Sequence, residues 1–310
     1  MISIIKYSIV VPCYNEEEVI EYTYKRLKEV MENIKDNYEI IFINDGSSDS
    51  TEQLISKICK KDKIIKLINF SRNFGHQTAI SAGLRNASGE AIIITDADLQ
   101  DPPELIYEMI EKWKEGYDVV YGKRKNRKGE TRFKKITANV FYKFLNYLTN
   151  NRIPEDVGEF RLIDKKVCKA FNELSERRRF IRGLISWVGF KQIEVLYDRD
   201  ERTAGETKYN LKRMITLAED GIFSFSYKPL KLSIITGIIL FVLGFLYLVF
   251  LLFNKGKDNS NKIICIICFV SGLNFIYNGI TNEYIERIHE TVQNRPLYII
   301  KNKINFNKKN

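Results

Sequence analysis

The sequence predicts an α/β chain: a mostly parallel sheet with helices on both faces, followed by two membrane-spanning helices. Three observations predict it. Residues 1 to about 122 alternate short β-branched runs with helical patterns. Two later runs, of 22 and 20 residues, carry no charge. Between the sheet and those runs lies a basic segment that continues into an amphipathic pattern.

The strands come in order as YSIVVP (Tyr7–Pro12), YEIIFIND (Tyr38–Asp45), IIKLINF (Ile64–Phe70), AIIIT (Ala91–Thr95) and DVVYG (Asp118–Gly122). Helical patterns separate them over Glu16 to about Lys35, from Asp49 or Ser50 onward, over Gly75–Asn86 and over Pro103–Gly116. Asp49 or Ser50 can cap the second helix, and Pro103 suits the start of the fourth. Strands that are apolar at nearly every position are buried on both faces, which indicates a parallel sheet between two helical layers. In such sheets ligands bind beyond the carboxyl ends of the strands. The polar clusters fall at those ends: Pro12-Cys13-Tyr14-Asn15-Glu16, Asn44-Asp45-Gly46-Ser47, Ser71-Arg72-Asn73 and Asp96-Ala97-Asp98.

The segment Lys123–Lys135 has eight basic residues and one acid. The pattern after it, with Phe133, Ile136, Val140, Phe144 and Leu148 near helical spacing, predicts a basic amphipathic helix on a membrane surface over about 132–150. A second such helix is expected over about 209–227. The charge-free runs, Leu232–Phe253 and Ile263–Asn282, are each long enough to cross about 30 Å of hydrocarbon. Asn274, Asn278 and Asn282 recur every fourth residue in the second run and form a polar stripe suited to a partner helix. The expected organisation is therefore a domain over 1–228, a two-helix anchor over 229–284 and a tail over 285–310. The flanks are more basic than the link between the runs, which places domain and tail in the cytoplasm and the protein in the inner membrane.

Composition narrows the chemistry. Lysine and arginine number 49 against 39 acids, a net of +10 that suits an anionic partner. The basic run has no nucleic-acid reading motif, so nucleic acid is not the expected partner. Five cysteines without regular spacing do not form a disulfide framework, and Cys265 and Cys268 lie inside an apolar run, where packing is expected. With only His76 and His289, chemistry that needs several imidazoles is excluded.

The densest signal is TDADLQDPPE, where Asp96, Asp98, Asp101 and Glu104 follow an apolar strand. Like charges this close repel. In extended backbone, Asp96 and Asp98 point to the same face, and two such carboxylates can hold a hard divalent cation. Asp101 and Glu104 also suit a helix N-terminus, the preferred reading for Glu104. The acidic turn NDGSSDST ends an earlier strand at the same sheet margin.

The run VVPCYNEEE, INDGSSDST, NFSRNFGHQTAISAGL and DADLQDPPE resembles family 2 glycosyltransferases with a GT-A fold, and within them the membrane-anchored polyprenyl-phosphate glycosyltransferases. The resemblance extends through GEFRLID, ERTAGETKY and NEYIERIHETVQNRPLYII, nearly the whole chain. It implies that Pro12, Tyr14 and Glu16 line a nucleotide pocket and that Asp45 contacts the uracil or ribose, with Gly46 and Ser47 allowing close backbone approach. It implies Mg²⁺ or Mn²⁺ on Asp96 and Asp98, Asp98 being the more direct ligand, and Gln100 facing the donor sugar. Asp156 and Glu159 would sit near the acceptor, although many relatives have aspartate at the position of Glu159. Arg161, Arg202 and Lys208 would contact phosphates, with Arg124 and Arg132 as further candidates. His76 is read as a structural hydrogen-bonder in preference to a base.

The implied reaction is inverting transfer of a sugar, glucose first, from a UDP-sugar to a polyprenyl phosphate such as undecaprenyl phosphate. The implied partners are that donor, that acceptor, the bilayer and further copies of the chain, with a tetramer suggested by the resemblance. Alternatives are a GDP-mannose-dependent polyprenyl-phosphate mannosyltransferase, a processive synthase of the same fold, and a non-catalytic membrane sensor or scaffold for nucleotide sugars. The processive alternative lacks its Gln-x-x-Arg-Trp motif: neither Trp113 nor Trp187 follows an arginine.

Overall fold

A computed structural model describes residues 5–125, 157–198, 223, 226, 228–253 and 260–306. The expected surface helices over 132–150 and 209–227 lie outside the described residues, apart from residues 223 and 226.

The five expected strands are present as β1 (Tyr7–Cys13), β2 (Tyr38–Asn44), β3 (Ile65–Phe70), β4 (Ala91–Ile94) and β5 (Val119–Arg124). The helices between them are α1 (Ile20–Ile34), α2 (Thr51–Lys61), α3 (His76–Asn86) and α4 (Leu105–Lys114). The first helix starts four residues later than expected, because Glu16 and Glu17 serve in a turn held by the loop after β2. Asp49 accepts from the Thr51 N–H at 3.0 Å, so it is the residue that braces the start of α2.

Among the described residues the sheet has eight strands in the order β7-β5-β6-β4-β1-β2-β3-β8. Three of them were not separately expected. β6 (Val157–Asp164) inserts antiparallel between β4 and β5, and β7 (Gln192–Tyr197) pairs parallel with β5. β8 (Ile300–Ile304) pairs antiparallel with β3. Part of the expected tail is thus a strand of the main sheet. Two further helices, α5 (Lys165–Glu173) and α6 (Ile181–Trp187), follow β6.

Alternating side chains of each central strand enter opposite cores. Ile9, Val11, Ile40 and Phe42 pack with Leu27, Ile55 and Met109 from α1, α2 and α4. Val10, Ile41 and Ile43 pack with Ile80, Phe171 and Leu184 from α3, α5 and α6. This is why the strands read as continuous apolar runs. Gly83 lets α3 settle onto the sheet: a Cβ there would lie 2.2 Å from Val10 Cγ1 and 2.9 Å from Ile43 Cδ1.

The two apolar runs are helical, within α7 (Lys228–Phe253) and α8 (Ser260–Val292). α8 continues ten residues past Asn282, the expected end of the second span. One helix among the described residues, over Lys228–Tyr247, is long and apolar enough to cross a membrane, and none of its apolar window is buried within the chain. Along α8, Asn274, Asn278 and Asn282 are exposed, and Asn274 Nδ2 donates to Val270 O of its own helix at 3.1 Å.

Candidate active site

The site gathers where β1, β2, β4 and β6 meet the N-terminus of α3. The loops after β1 and β2 are laced together. Asn15, with φ of 53°, donates its N–H to Ser47 Oγ at 3.0 Å and accepts from the Ser48 N–H at 2.8 Å. The Glu16 N–H donates to Thr51 Oγ1 at 2.9 Å. Gly46, at φ 66°, lies so close to the loop after β3 that a Cβ would meet the Arg72 and Asn73 backbone at 2.4–2.8 Å. The expected close approach at Gly46 is therefore made by this chain's own backbone. Tyr14 is exposed, Glu16 and Ser47 are half-buried, and Pro12 is buried within β1.

Asp45 is buried and accepts from the N–H groups of Phe74 at 2.7 Å and Gly75 at 2.9 Å. Burial pushes its carboxyl above the usual carboxylate range, against those two hydrogen bonds. Asp45 thus holds the turn that opens α3. The next residue, His76, places Nε2 3.4 Å from Asp96 Oδ1. Gln77, one further on, donates to Glu159 Oε1 at 3.2 Å and accepts from the Ile181 N–H at 2.9 Å. Three consecutive positions, Gly75 to Gln77, therefore touch or neighbour Asp45, Asp96 and Glu159, which lie up to 114 residues apart in sequence. The start of a helix also supplies partial positive charge, which suits this acidic surrounding.

After β4 the chain turns at Ala97–Asp98, so Asp98 is not in the extended backbone expected for it. The alternation survives: Ala97 and Leu99 are buried, while Asp96 and Asp98 are half-exposed. Thr23 Oγ1 donates to Ala97 O at 2.6 Å and anchors the turn to α1. Leu99 has φ of 46°, a strained value for a branched residue, imposed where the buried side chain and the flanking turn over-determine the backbone. Gln100 is buried, and its N–H donates to Asp98 Oδ1 at 3.3 Å.

Asp96 Oδ1 is buried with no hydrogen-bond partner among the described residues. Burial, then Asp98, Asp101 and Glu159, raise its carboxyl to about 6, although His76 opposes the shift. A carboxylate oxygen buried without a donor among the described residues, beside a second half-exposed aspartate, fits a divalent cation. Among the described residues no three His, Cys, Asp or Glu side chains form a closed metal cage. One or two carboxylates, completed by water and substrate phosphates, is the donor set Mg²⁺ uses.

Glu159 and Arg161 lie on β6, both almost fully buried. Burial raises the Glu159 carboxyl, but Arg182 and then Arg161 outweigh it and hold it below the usual range. Arg182 Nε is 3.1 Å from Glu159 Oε1, and Arg161 Nη2 is 3.8 Å from Oε2. Arg161 donates to Gly158 O at 2.8 Å, and burial lowers its guanidinium to about 10. Two arginines around one carboxylate leave a surplus positive charge in the floor of the site. Arg124, expected as a phosphate contact, donates to Tyr197 Oη at 3.3 Å and lies 3.6 Å from Asp101 Oδ1. Tyr197 donates to the same Asp101 oxygen at 2.5 Å. Asp101 is therefore a buried brace between β5 and β7. Glu104 stands at the N-terminus of α4, as expected, and pairs with Arg26 of α1 at 3.0 Å. Arg132, Asp156, Arg202 and Lys208 lie outside the described residues.

Sequence reasoning missed Gln77 and Arg182. Gln77 sits in GHQTAISAGL, where nothing but its place at the start of α3 marks it. Missed as well was a row of asparagines across three strands: Asn302 Oδ1 accepts from Asn69 at 2.6 Å, Asn69 Oδ1 from Asn44 at 3.0 Å, and Asn44 Oδ1 from the Ser47 N–H at 3.1 Å. Matching residues in register make such a row, visible only once β8 is known to join β3.

A mostly parallel sheet with carboxylates at its strand ends serves many kinds of chemistry, and comparison with known proteins gives the class. The chain belongs to glycosyl transferase family 2, whose family model matches residues 8–171. An uncharacterized glycosyltransferase, YkcC of Bacillus subtilis, is 54% identical over 301 residues, covering 96% of this chain and 93% of its own. The prophage bactoprenol glucosyl transferase homolog of Escherichia coli is 41% identical, covering 96% of this chain and 98% of its own. The bactoprenol glucosyl transferase of Shigella phage SfII is 42% identical, covering 96% and 97%. Among solved structures, glucosyl-3-phosphoglycerate synthase of Mycobacterium tuberculosis, crystallised with Mn²⁺ and UDP-glucose, is similar at a TM-score of 0.49 and 17% identity, covering 70% of this chain and 77% of that one. That likeness is too slight to bear on the site.

Proposed function

We propose that this glycosyltransferase moves a sugar, glucose first among candidates, from a UDP-sugar to a polyprenyl phosphate at the cytoplasmic face of the inner membrane, with inversion. The carrying observation is the meeting of Asp45, Asp96 and Glu159 at the first turn of α3. The full-length similarity to bactoprenol glucosyl transferases supports the acceptor class.

In this reading Asp96 and Asp98 hold Mg²⁺ or Mn²⁺, which when bound would neutralise charge on the departing diphosphate. The loops after β1 and β2 carry Tyr14, Glu16 and Ser47 beside the nucleotide. Asp45 acts on that pocket chiefly by fixing the turn that opens α3. The acceptor phosphate is already ionised near neutral pH, so no general base is required. Glu159 sits between Arg161 and Arg182 and stays ionised; the net positive floor favours a phosphate, and the carboxylate fixes the two guanidinium groups. Bringing the reactants together then supplies most of the rate. In the same reading Gln100 faces the sugar, Asp156 serves the acceptor, and Arg132, Arg202 and Lys208 are assigned to the donor or acceptor phosphates.

α7 supports membrane attachment, because its large side chains, Phe241 among them, are exposed along its length. The second charge-free run, inside α8, would cross back and leave domain and C-terminus on one side. Self-association through the exposed asparagines of α8 belongs to the same reading.

The test is transfer from UDP-glucose to undecaprenyl phosphate by the purified full chain with Mg²⁺ or Mn²⁺, read by mass spectrometry of the lipid. Asp98→Asn is expected to lower the rate roughly a hundredfold or more, the scale of losing one transition-state electrostatic contact. Undiminished transfer by Asp98→Asn overturns the metal role, and a product formed only from GDP-mannose overturns the donor assignment.

A further inference from the structure

The last turns of α8 carry an arrangement that the transfer chemistry does not use. Glu283, Glu286 and Glu290 stand at i, i+3 and i+7, which puts three carboxylates on one face of the helix. They lie near its C-terminal end, where the helix dipole disfavours negative charge. Something must offset both effects. That group is Arg178, on the loop between α5 and α6.

Its guanidinium is engaged on every side. Nη1 donates to Glu283 Oε1 at 3.0 Å, and Nη2 to Glu290 Oε1 at 2.9 Å and to Glu286 Oε1. Nε donates to Glu290 Oε2 at 2.9 Å, which makes the Glu290 contact a two-pronged one. Arg287 adds a second cation, 3.3 Å from Glu283 Oε1. Hydrogen bonding to Glu290 drives the Arg178 guanidinium above its ordinary value, and the same bond holds Glu290 below the usual carboxylate range. Arg178 is only 29% exposed, so water screens the cluster less than an open surface pair.

The loop that carries Arg178 runs directly into the site. Arg179 is buried, donates to Leu174 O at 2.7 Å and packs on the Phe171 ring. The Ile181 N–H is held by Gln77, and Arg182 reaches both Glu159 and, at 2.7 Å, Val157 O. From Arg178 to Arg182, five consecutive residues join the end of α8 to the buried carboxylate of β6. The apolar run of α8 stops at Asn282, one residue before the first glutamate of the cluster.

We propose that Arg178 is a positioning residue: its clasp on Glu283, Glu286 and Glu290 sets the catalytic site against the membrane helix, so that an acceptor phosphate presented from a bilayer reaches the floor built by Glu159, Arg161 and Arg182. The inference rests on the functional reading above. It separates two properties that a merely stabilising ion cluster would not. Loss of the clasp should impair the use of an acceptor held in a bilayer, while donor handling and an acceptor arriving from solution are spared.

The experiment uses the full chain in nanodiscs, wild type against Arg178→Gln and Arg178→Lys. Two acceptors are compared, undecaprenyl phosphate in the disc and a short water-soluble prenyl phosphate, with KM for UDP-glucose measured alongside. For Arg178→Gln, transfer to the disc-borne acceptor is expected to fall roughly tenfold, equivalent to about 1.4 kcal/mol. Transfer to the soluble acceptor and the donor KM should stay within about twofold. Arg178→Lys, which keeps the charge without the fork, should recover part of the loss. Equal losses with both acceptors, or none with either, overturn the proposal. Amide hydrogen exchange in the same discs reads the clasp itself without activity: Arg178→Gln should speed exchange across 174–182 and leave α2 unchanged. If wild type transfers no sugar to any acceptor, the functional reading fails. Unchanged exchange across 174–182 then overturns the clasp as well, and faster exchange retains its mechanical half.

Discussion

Gly83→Ala tests whether the seating of α3 governs the site. An added Cβ would stand 2.2 Å from Val10 Cγ1 and 2.9 Å from Ile43 Cδ1. Ordinary contact is about 3.5–4 Å, so α3 or β1 must give by more than an ångström. Overpacking of this kind costs about 1–3 kcal/mol. The better helix propensity of alanine returns about 1 kcal/mol, so the net expectation is a loss of about 0–2 kcal/mol. Catalysis should suffer more than stability. The same helix carries Gly75, His76 and Gln77 against Asp45, Asp96 and Glu159, and a displacement near 1 Å can cost about a hundredfold in rate. The assay pairs urea unfolding with the transfer rate measured where the fold is intact. Adding Val10→Ala removes the Cγ1 that the new methyl meets, and should recover rate despite the cavity it leaves elsewhere. A Gly83→Ala protein as stable and as active as wild type would refute the argument that close packing of α3 places the site.

Two further predictions concern charge. Burial and three neighbouring carboxyls raise Asp96 to about 6, so ionising it penalises the native state; the penalty grows as pH rises from the ordinary carboxylate range and levels off above about 6. Metal-free Asp96→Asn should therefore melt higher than wild type at neutral pH but not near pH ~4. If the proposed cation sits on Asp96, Mn²⁺ with UDP should raise the melting temperature of wild type and not of Asp96→Asn; equal melting at every pH contradicts the assignment. At the opposite end of the sheet, Glu39 is buried and accepts from Ser8 at 2.6 Å, from Ser88 through its N–H at 2.8 Å and hydroxyl at 2.7 Å, and from Lys66. Burial raises its carboxyl, and these bonds together lower it below the ordinary value. Its contribution is present above the usual glutamate range and is lost as pH falls through the depressed native value. Glu39→Gln should cost about 1–3 kcal/mol near neutral pH and flatten the acid limb of stability, as read by urea unfolding between about pH 3 and 7; an unchanged acid limb rules out Glu39 as its source.

What could be read from the sequence depended on burial on both faces. β1 to β4 are apolar at almost every position because both cores claim them, and their ends were legible within a residue or two. β6 escaped because its run, VGEFRLID, carries Glu159 and Arg161, whose charges interrupt the apolar signal for the sake of the site. β8, IKNKI, escaped because it is an edge strand whose three central residues are exposed, and lysines there also protect the edge from pairing with other chains. The carboxylates at the strand ends were legible as a group. Their division of labour was not, because partners such as Gln77 and Glu159 are 82 residues apart.

That division separates the acids of the site by what already opposes their charge. Asp45 has two backbone N–H donors, Asp101 has Tyr197 and Arg124, and Glu159 has Gln77 with two arginines. Each is occupied in holding one element to another. Asp96 is different: among the described residues one of its oxygens is buried without a donor, and the cation acting on it most strongly is a histidine that is charged only when protonated. A carboxylate left in that condition costs the native state free energy unless a ligand supplies the missing positive charge. The resemblance implies Asp98 as the more direct metal contact. Among the described residues it is Asp96 that carries a buried oxygen without a donor, so Asp96→Asn tests the proposed cation as directly as Asp98→Asn does.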